Sequence, residues 1–365
     1  MRDTRAVAYV VVKTLTSGRR AYLVRYKAPD GRRRSKQFAR RKDADLFAST
    51  VEVEVAHGLY VDPAGGKETL SAWVARWWPT TVNLRETSRA RDASVLRIHV
   101  LPAFGSVPLG RIEHVAIREW IAELSARGYR PTTVHKCHQV LAKALRAAVD
   151  ARLLRYNPAD NVPLPRIERE EMRFLDTREI SLLADAIDPR YRHFVVLAAY
   201  SGLRVGEVAG LTWERVDLLR RRVDVVQTLV EVNGAIVVNP PKTRAGHRRV
   251  PIPRVVAEAL AASTTPNPAP SEWVVSAPEG GPLRVPHFRR RAWAPAVEQA
   301  GFSGLRIHDL RHTAVALWIA AGAPPNEIAA RAGHRSVVTV LDRYGHLFPD
   351  RRDDVTDELD RMAAS

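Results

Sequence analysis

Four side chains between Ile307 and Phe348 recur at intervals that packing alone does not require: His308, Arg311, His334 and Tyr344. They lie in two fragments, RIHDLRHT and RAGHRSVVTVLDRYGHLF. His308 and Arg311 open an apolar run of Leu310, Ala314, Leu317 and Ala321. On a helix both leave from one face, where an imidazole and a guanidinium together can grip an anion. Pro324 to Ala332 predicts a short helix closed by Gly333, since proline suits the first turn and glycine the position past the last. His334 then stands just beyond a helix end. A further helical run, Val337 to Leu341, leads to Tyr344, 21 residues from the last residue.

Upstream, YSGLRVGEVAGL brings in Arg204 and Glu207, and PPKTRAGHRRVPI brings in Lys242. Taken in order with HDLRHT, GH and RYGHL, these blocks resemble the tyrosine recombinases, the family of phage and mobile-element integrases. Ala332 stands where that family usually has leucine before Gly-His, a change that concerns packing under His334. The resemblance implies a site-specific DNA recombinase that cleaves and rejoins strands through a 3′-phosphotyrosyl intermediate, integrating or excising a phage or integrative element. It implies a catalytic set of Arg204, Lys242, His308, Arg311, His334 and Tyr344, with Tyr344 as nucleophile and Glu207 in support. Two alternatives stand beside it: a catalytically inactive DNA-binding regulator of the same fold, and a type IB topoisomerase-like enzyme.

The chemistry asks for these residue types. A phosphodiester attacked by a hydroxyl gains charge on its non-bridging oxygens, and the two guanidiniums of Arg204 and Arg311 can hold them by forked hydrogen bonds. A phenol with an ordinary pKa of about 10 is a poor nucleophile until its proton is removed. The resemblance gives His308 that base role, His334 a hydrogen bond to the phosphate, and Lys242 the proton for the leaving 5′-oxygen. Glu207, three residues after Arg204, can orient its guanidinium. Residues 166–365 are rich in arginine yet contain one lysine, Lys242, and lysine suits proton donation better than a group that never deprotonates. Of the tyrosines there, Tyr191 and Tyr200 sit in an apolar helix, which leaves Tyr344. No metal or other cofactor enters this scheme.

The positioning elements read as a multidomain chain. Residues 1–62 predict a three-stranded sheet (Val7 to Leu15, Ala21 to Lys27, Arg32 to Phe38) backed by a helix from Asp43 to His57. In the second strand Tyr22, Val24 and Tyr26 point one way and Leu23, Arg25 and Lys27 the other. Arg32, Arg34 and Lys36 are expected to extend the Arg25 and Lys27 face. Residues 1–56 carry fourteen Lys or Arg against six Asp or Glu, a net of +8, which suits a sheet entering a DNA groove. The resemblance implies an arm-type DNA-binding domain here.

After a Pro63 to Gly66 linker, residues 67–156 predict an all-α bundle of four helices, with Thr69 and Thr87 as caps, Glu113 to Ala126 as the third and Pro131 as the start of the fourth. It resembles the family's core-binding, SAM-like domain. Lys136 and Lys143 are candidate phosphate contacts on it. Cys137, between His135 and His138, reads as a small apolar residue of the stripe Val134, Cys137, Leu141, Leu145 and Ala148. Residues 157–169 predict a proline-rich linker and 170–365 a mixed α+β, mainly α, catalytic domain ending in a tail helix striped by Val355, Leu359 and Met362.

Charge points to the partner. Fifty-seven Lys plus Arg against forty Asp plus Glu leave a net +17, which suits a polyanion. No apolar run reaches the length of a membrane span, and the opening residues form no signal-peptide pattern, so a cytoplasmic protein with no membrane partner is expected. By resemblance the partners are double-stranded DNA at core and arm sites, three further copies in a homotetramer, a DNA-bending accessory protein and an excision factor.

Overall fold

The computed structural model describes residues 8–29, 31–58, 60–61, 65–168, 172–264, 268–349 and 352–364. Val7, Asp30 and the first half of the Pro63 to Gly66 linker fall outside that set. The chain forms two compact units, residues 1–168 and 169–365.

In the first unit β1 (Ala8–Thr14), β2 (Arg20–Lys27) and β3 (Arg33–Phe38) form an antiparallel sheet in that order. The helix Arg41–Ala56 lays Ala44, Ala48 and Val51 against Val24 and Tyr26. Residues directly opposite across an antiparallel pair share a face. Arg25 lies opposite Ser35 and Lys27 opposite Arg33, whereas Arg34 lies opposite Tyr26 and Lys36 opposite Val24. The expected basic face is therefore corrected by one residue. Arg33 joins Arg25 and Lys27, while Arg34 and Lys36 lie on the helix-covered face, with the Lys36 ammonium 4.7 Å from the centre of the Phe47 ring. Arg32 precedes the strand, its carbonyl accepting the Ala28 N–H. A one-residue slip moves every side chain to the other face, and the turn set the register here.

The bundle comprises the helices Leu70–Trp77, Glu86–Val95, His114–Ala126 and Pro131–Asp150. The second runs on through a wide π-type turn, Leu96–Val100, into Leu101–Phe104. Thr69 caps the first through Ala72, but Thr87 lies inside the second, which Arg85 precedes. Cys137 is fully buried among Val134, Leu141 and Leu145. His135 and His138 turn their Nε2 atoms to the carbonyls of Pro165 and Ala159, 2.8 Å in each case. Much of the expected 157–169 linker is thereby fastened to the bundle, with Ala159 and Val162 buried in its core. Lys136 and Lys143 are engaged as well: both ammonium groups bind the buried Asp92, at 2.8 and 3.2 Å. These ion pairs compensate the buried carboxylate, since an uncompensated buried charge is costly.

The second unit builds its core on the helix Arg192–Ser201, nearly all of whose residues are buried, packed by Thr177–Ala186, Arg254–Ser263 and Asp309–Ala320. Strands β4 (Val216–Asp217), β5 (Arg222–Val225) and β8 (Arg248–Pro251) form one sheet, and β6 (Thr228–Val232) pairs with β7 (Ala235–Asn239) in another. Lys242 lies between two of these strands. The strands on either side of it, β7 and β8, belong to different sheets, so it rides on the connection between them. Pro240 and Pro241 explain the break, because neither can donate to a ladder. Short helices Pro325–Ala332 and Val338–Tyr344 follow, and the helix Arg352–Ala363 ends the chain with Leu359 and Met362 exposed.

Candidate active site

The helix Asp309–Ala320 is held at its first turn by Asp309, whose carboxylate accepts the Arg306 N–H at 2.7 Å. That start fixes His308 at the cap and Arg311 one turn in. His308 is exposed, and Arg311 is only 3% exposed. Burial and the charge of Arg204 push the Arg311 pKa down to about 9, still cationic at neutral pH.

The end of the helix Pro325–Ala332 organises the cations. Gly333 takes a left-handed φ of 63°, so that the N–H groups of Gly333 and His334 cap the carbonyls of Ala330 and Ala329. The next carbonyls are left for other donors. Arg248 Nε donates to Arg331 O at 2.6 Å, an Arg311 Nη donates to Ala332 O, and Arg204 Nη2 donates to Gly333 O at 3.3 Å. Three guanidiniums thus grip three consecutive carbonyls, at the helix end where the backbone dipole favours cations. The other Arg311 Nη donates to Gly202 O at 2.6 Å. His334 follows directly. Its Nδ1 is buried and has no hydrogen-bond partner among the described residues. Burial and the charges of Arg311 and Arg204 depress its pKa to about 4, so the ring is neutral.

Glu207 sits beneath this cluster, 3% exposed. Its carboxylate accepts from Arg204 N–H and Nη1, both at 2.8 Å, and from Arg248 Nη1 and Nη2 at 3.1 and 2.9 Å. Burial would raise its pKa, but the hydrogen bonds and charges of Arg248 and Arg204 win and lower it. Arg248 was not singled out in the sequence. Its signal was faint, one arginine of an Arg-Arg pair entering a strand.

Tyr344 ends the helix Val338–Tyr344, where the sequence predicted it to follow one, and is 1% exposed. Its hydroxyl lies 2.5 Å from Nδ1 of His312, not against His308. His308 packs edge-on against His312, ring centres 4.8 Å apart. Burial, then the neighbouring His308, lowers the His312 pKa to about 4, so its neutral ring accepts the phenol proton's hydrogen bond. Burial in turn raises the Tyr344 pKa. His312 stands in the fragment that drew attention to His308, but an apolar-periodic helix hid it among core positions. Lys242 is exposed, on the connection that ends at Arg248.

A scan against family models matches the Phage integrase family over residues 173–351 and the Phage integrase, N-terminal SAM-like domain over residues 69–125. The ICEBs1 integrase of Bacillus subtilis is 28% identical over 290 residues, 73% of this chain and 76% of that protein. A putative prophage phiRv2 integrase of Mycobacterium tuberculosis is 26% identical over 362 residues, 96% of this chain and 95% of that one. Among solved structures, the Tn1549 transposon integrase in complex with a circular intermediate DNA superposes with a TM-score of 0.66 at 19% identity, covering 80% of this chain and 99% of that one. A lambda integrase tetramer bound to a Holliday junction superposes at 0.56 and 17%, covering 96% and 97%. At those identities the structural likeness speaks for the fold. The two matched models and the relatives aligned over most of their length place the chain in the phage integrase family, the tyrosine recombinases.

Proposed function

We propose that this protein is a site-specific DNA recombinase in which Tyr344 is the nucleophile. One observation carries the reading: a buried phenol is hydrogen-bonded to His312, which packs on His308, while Arg204, Arg248 and Arg311 gather at the helix end that precedes His334. Such a cluster suits a phosphodiester, whose charge rises as a hydroxyl attacks.

Tyr344 Oη attacks the scissile phosphorus, the P–O5′ bond breaks, and the 3′-phosphate remains on the tyrosine. Arg204 and Arg311 hold the non-bridging oxygens and His334 donates to one of them. Lys242 gives the departing 5′-oxygen its proton. The phenolic proton leaves through the histidine pair, with His312 against the hydroxyl and His308 at the exposed edge. A 5′-hydroxyl from a second duplex reverses the step, which conserves the bond energy. Burial of Tyr344 and the Arg311 hydrogen bonds to backbone carbonyls describe a closed state, so the helix Val338–Tyr344 must shift before the hydroxyl meets DNA.

The integrase names of the relatives support a phage or integrative element as the thing moved, and the lambda tetramer on a junction supports assembly of four copies on DNA. Among the described residues no helix is long and apolar enough to cross a membrane, and we place the reaction in the cytoplasm. The N-terminal sheet, through Arg25, Lys27 and Arg33, is read as the arm-site contact. The test is Tyr344→Phe on a nicked core site: specific binding should persist and the covalent protein–DNA adduct should vanish. An adduct that survives the change would place the nucleophile elsewhere.

A further inference from the structure

We infer that Arg248 is a positioning residue of the reaction: it locks Glu207 so that Glu207 aims the Arg204 guanidinium at the phosphate. The inference rests on the phosphate-holding role proposed for Arg204. The Arg248 side chain is 6% exposed, against 42% for Arg204, so Arg204 faces the substrate side and Arg248 does not. Both nitrogens at the fork of Arg248 bind the Glu207 carboxylate, at 3.1 and 2.9 Å, while its Nε binds Arg331 O and Nη1 also reaches Gly246 O at 3.2 Å. One planar fork therefore joins the carboxylate under Arg204, the connection that carries Lys242, and the helix end that precedes His334.

Electrostatics explain why a second cation is needed. Glu207 is buried and accepts from Arg204 through both its backbone N–H and Nη1. Were Arg248 absent, Arg204 alone would have to neutralise a buried carboxylate, and its guanidinium would be drawn inward, away from where a phosphate would lie. With Arg248 supplying one positive charge from below, Arg204 keeps donors free for the substrate. Lysine cannot substitute fully, because a point ammonium cannot reach the carboxylate and Arg331 O in one fork geometry.

The measurement is the rate of adduct formation on a nicked core site by the full-length protein, for wild type, Arg248→Met and Arg248→Lys. Each is compared on ordinary DNA and on DNA whose scissile phosphate carries a methyl group in place of one charged oxygen. A phosphate without charge needs no aimed guanidinium. On ordinary DNA Arg248→Met should be slowed by about 10- to 10³-fold, the scale of losing one preorganised donor. Arg248→Lys should lie between it and wild type, and core-site affinity should stay within about threefold. On the methyl substrate the ratio of wild-type to variant rates should collapse toward that of Arg204→Ala, while the ratio for Lys242→Ala should not. An undiminished rate on ordinary DNA, or an equal deficit on both substrates, overturns the inference. If Met at 248 prevents folding, Arg248→Lys, which keeps the charge, carries the same comparison. Absence of any Tyr344 adduct from the wild type is a different result and would overturn the underlying reading instead.

Discussion

At the residue scale the proposed nucleophile, Tyr344, and the proton it would have to lose are the first concern. His312, with a pKa of about 4, and Tyr344, with a pKa raised above its ordinary value, sit far apart on the proton scale in the closed state, so the hydrogen bond between them keeps the phenol protonated. His312 also makes stability depend on acidity. Its folded pKa is depressed, so the unfolded chain binds a proton that the fold refuses; stability is full above pH about 6.5 and falls as pH drops toward 4. Between pH 7 and 4.5 this amounts to roughly 2–3 kcal/mol. Urea melts of His312→Asn, whose amide oxygen can still accept from Tyr344, should show a shallower acid loss than wild type; parallel curves would contradict the assignment. Lys242 has a chemical test. Replacing the bridging 5′-oxygen by sulfur provides a leaving group that departs without a proton. Lys242→Ala, slowed by about 10²–10⁴-fold on ordinary DNA, should approach wild type on the sulfur substrate. Arg311→Ala should gain no such rescue. If sulfur helps neither, the donor is another group, and His334 is next.

At the scale of elements, the decisive piece is the end of the helix Pro325–Ala332. A Cβ on Gly333 would come within 2.9 Å of Ala245 O and 3.0 Å of Arg248 Nη1, and φ is 63° there. Gly333→Ala should therefore cost about 1–2 kcal/mol from the left-handed backbone alone. It should also disturb the Lys242 connection, the Arg248 fork and His334 together. The expected outcome is a lower unfolding midpoint with cleavage reduced beyond what residual folded protein explains; a normal cleavage rate per folded molecule would mean that this close approach does not matter to the site. The same close approach ties the connection that carries Lys242 to this helix end.

At the scale of the whole molecule, the positive excess is distributed for a purpose that salt can reveal. Arg25, Lys27 and Arg33 share the open face of the N-terminal sheet, whereas Arg34 and Lys36 share the face that the helix covers. Changing the first three to glutamine should flatten the salt dependence of arm-site binding by about 2.7 in the log–log slope, at roughly 0.9 per lost phosphate contact. The same change at Arg34 and Lys36 should flatten it much less. Equal effects from the two sets would show that the sheet does not present one face to DNA.

The sequence by itself determined the order of the reactive blocks, the family they resemble, the three-stranded sheet, the helical bundle and the Gly333 cap, because each is written in local periodicity, turn residues or a contiguous motif. It also isolated Lys242 and Tyr344 by scarcity. What only the tertiary structure decided were relations between distant stretches. Tyr344 meets His312 across 32 residues, and Arg248 meets Glu207 across 41. Lys136 and Lys143 close on Asp92 across the bundle, and the register of β3 turns Arg33 outward where Arg34 was expected. A buried charge or hydroxyl finds its partner through packing, and pairing register is fixed by a turn one residue long or short; neither leaves a periodic trace along the chain.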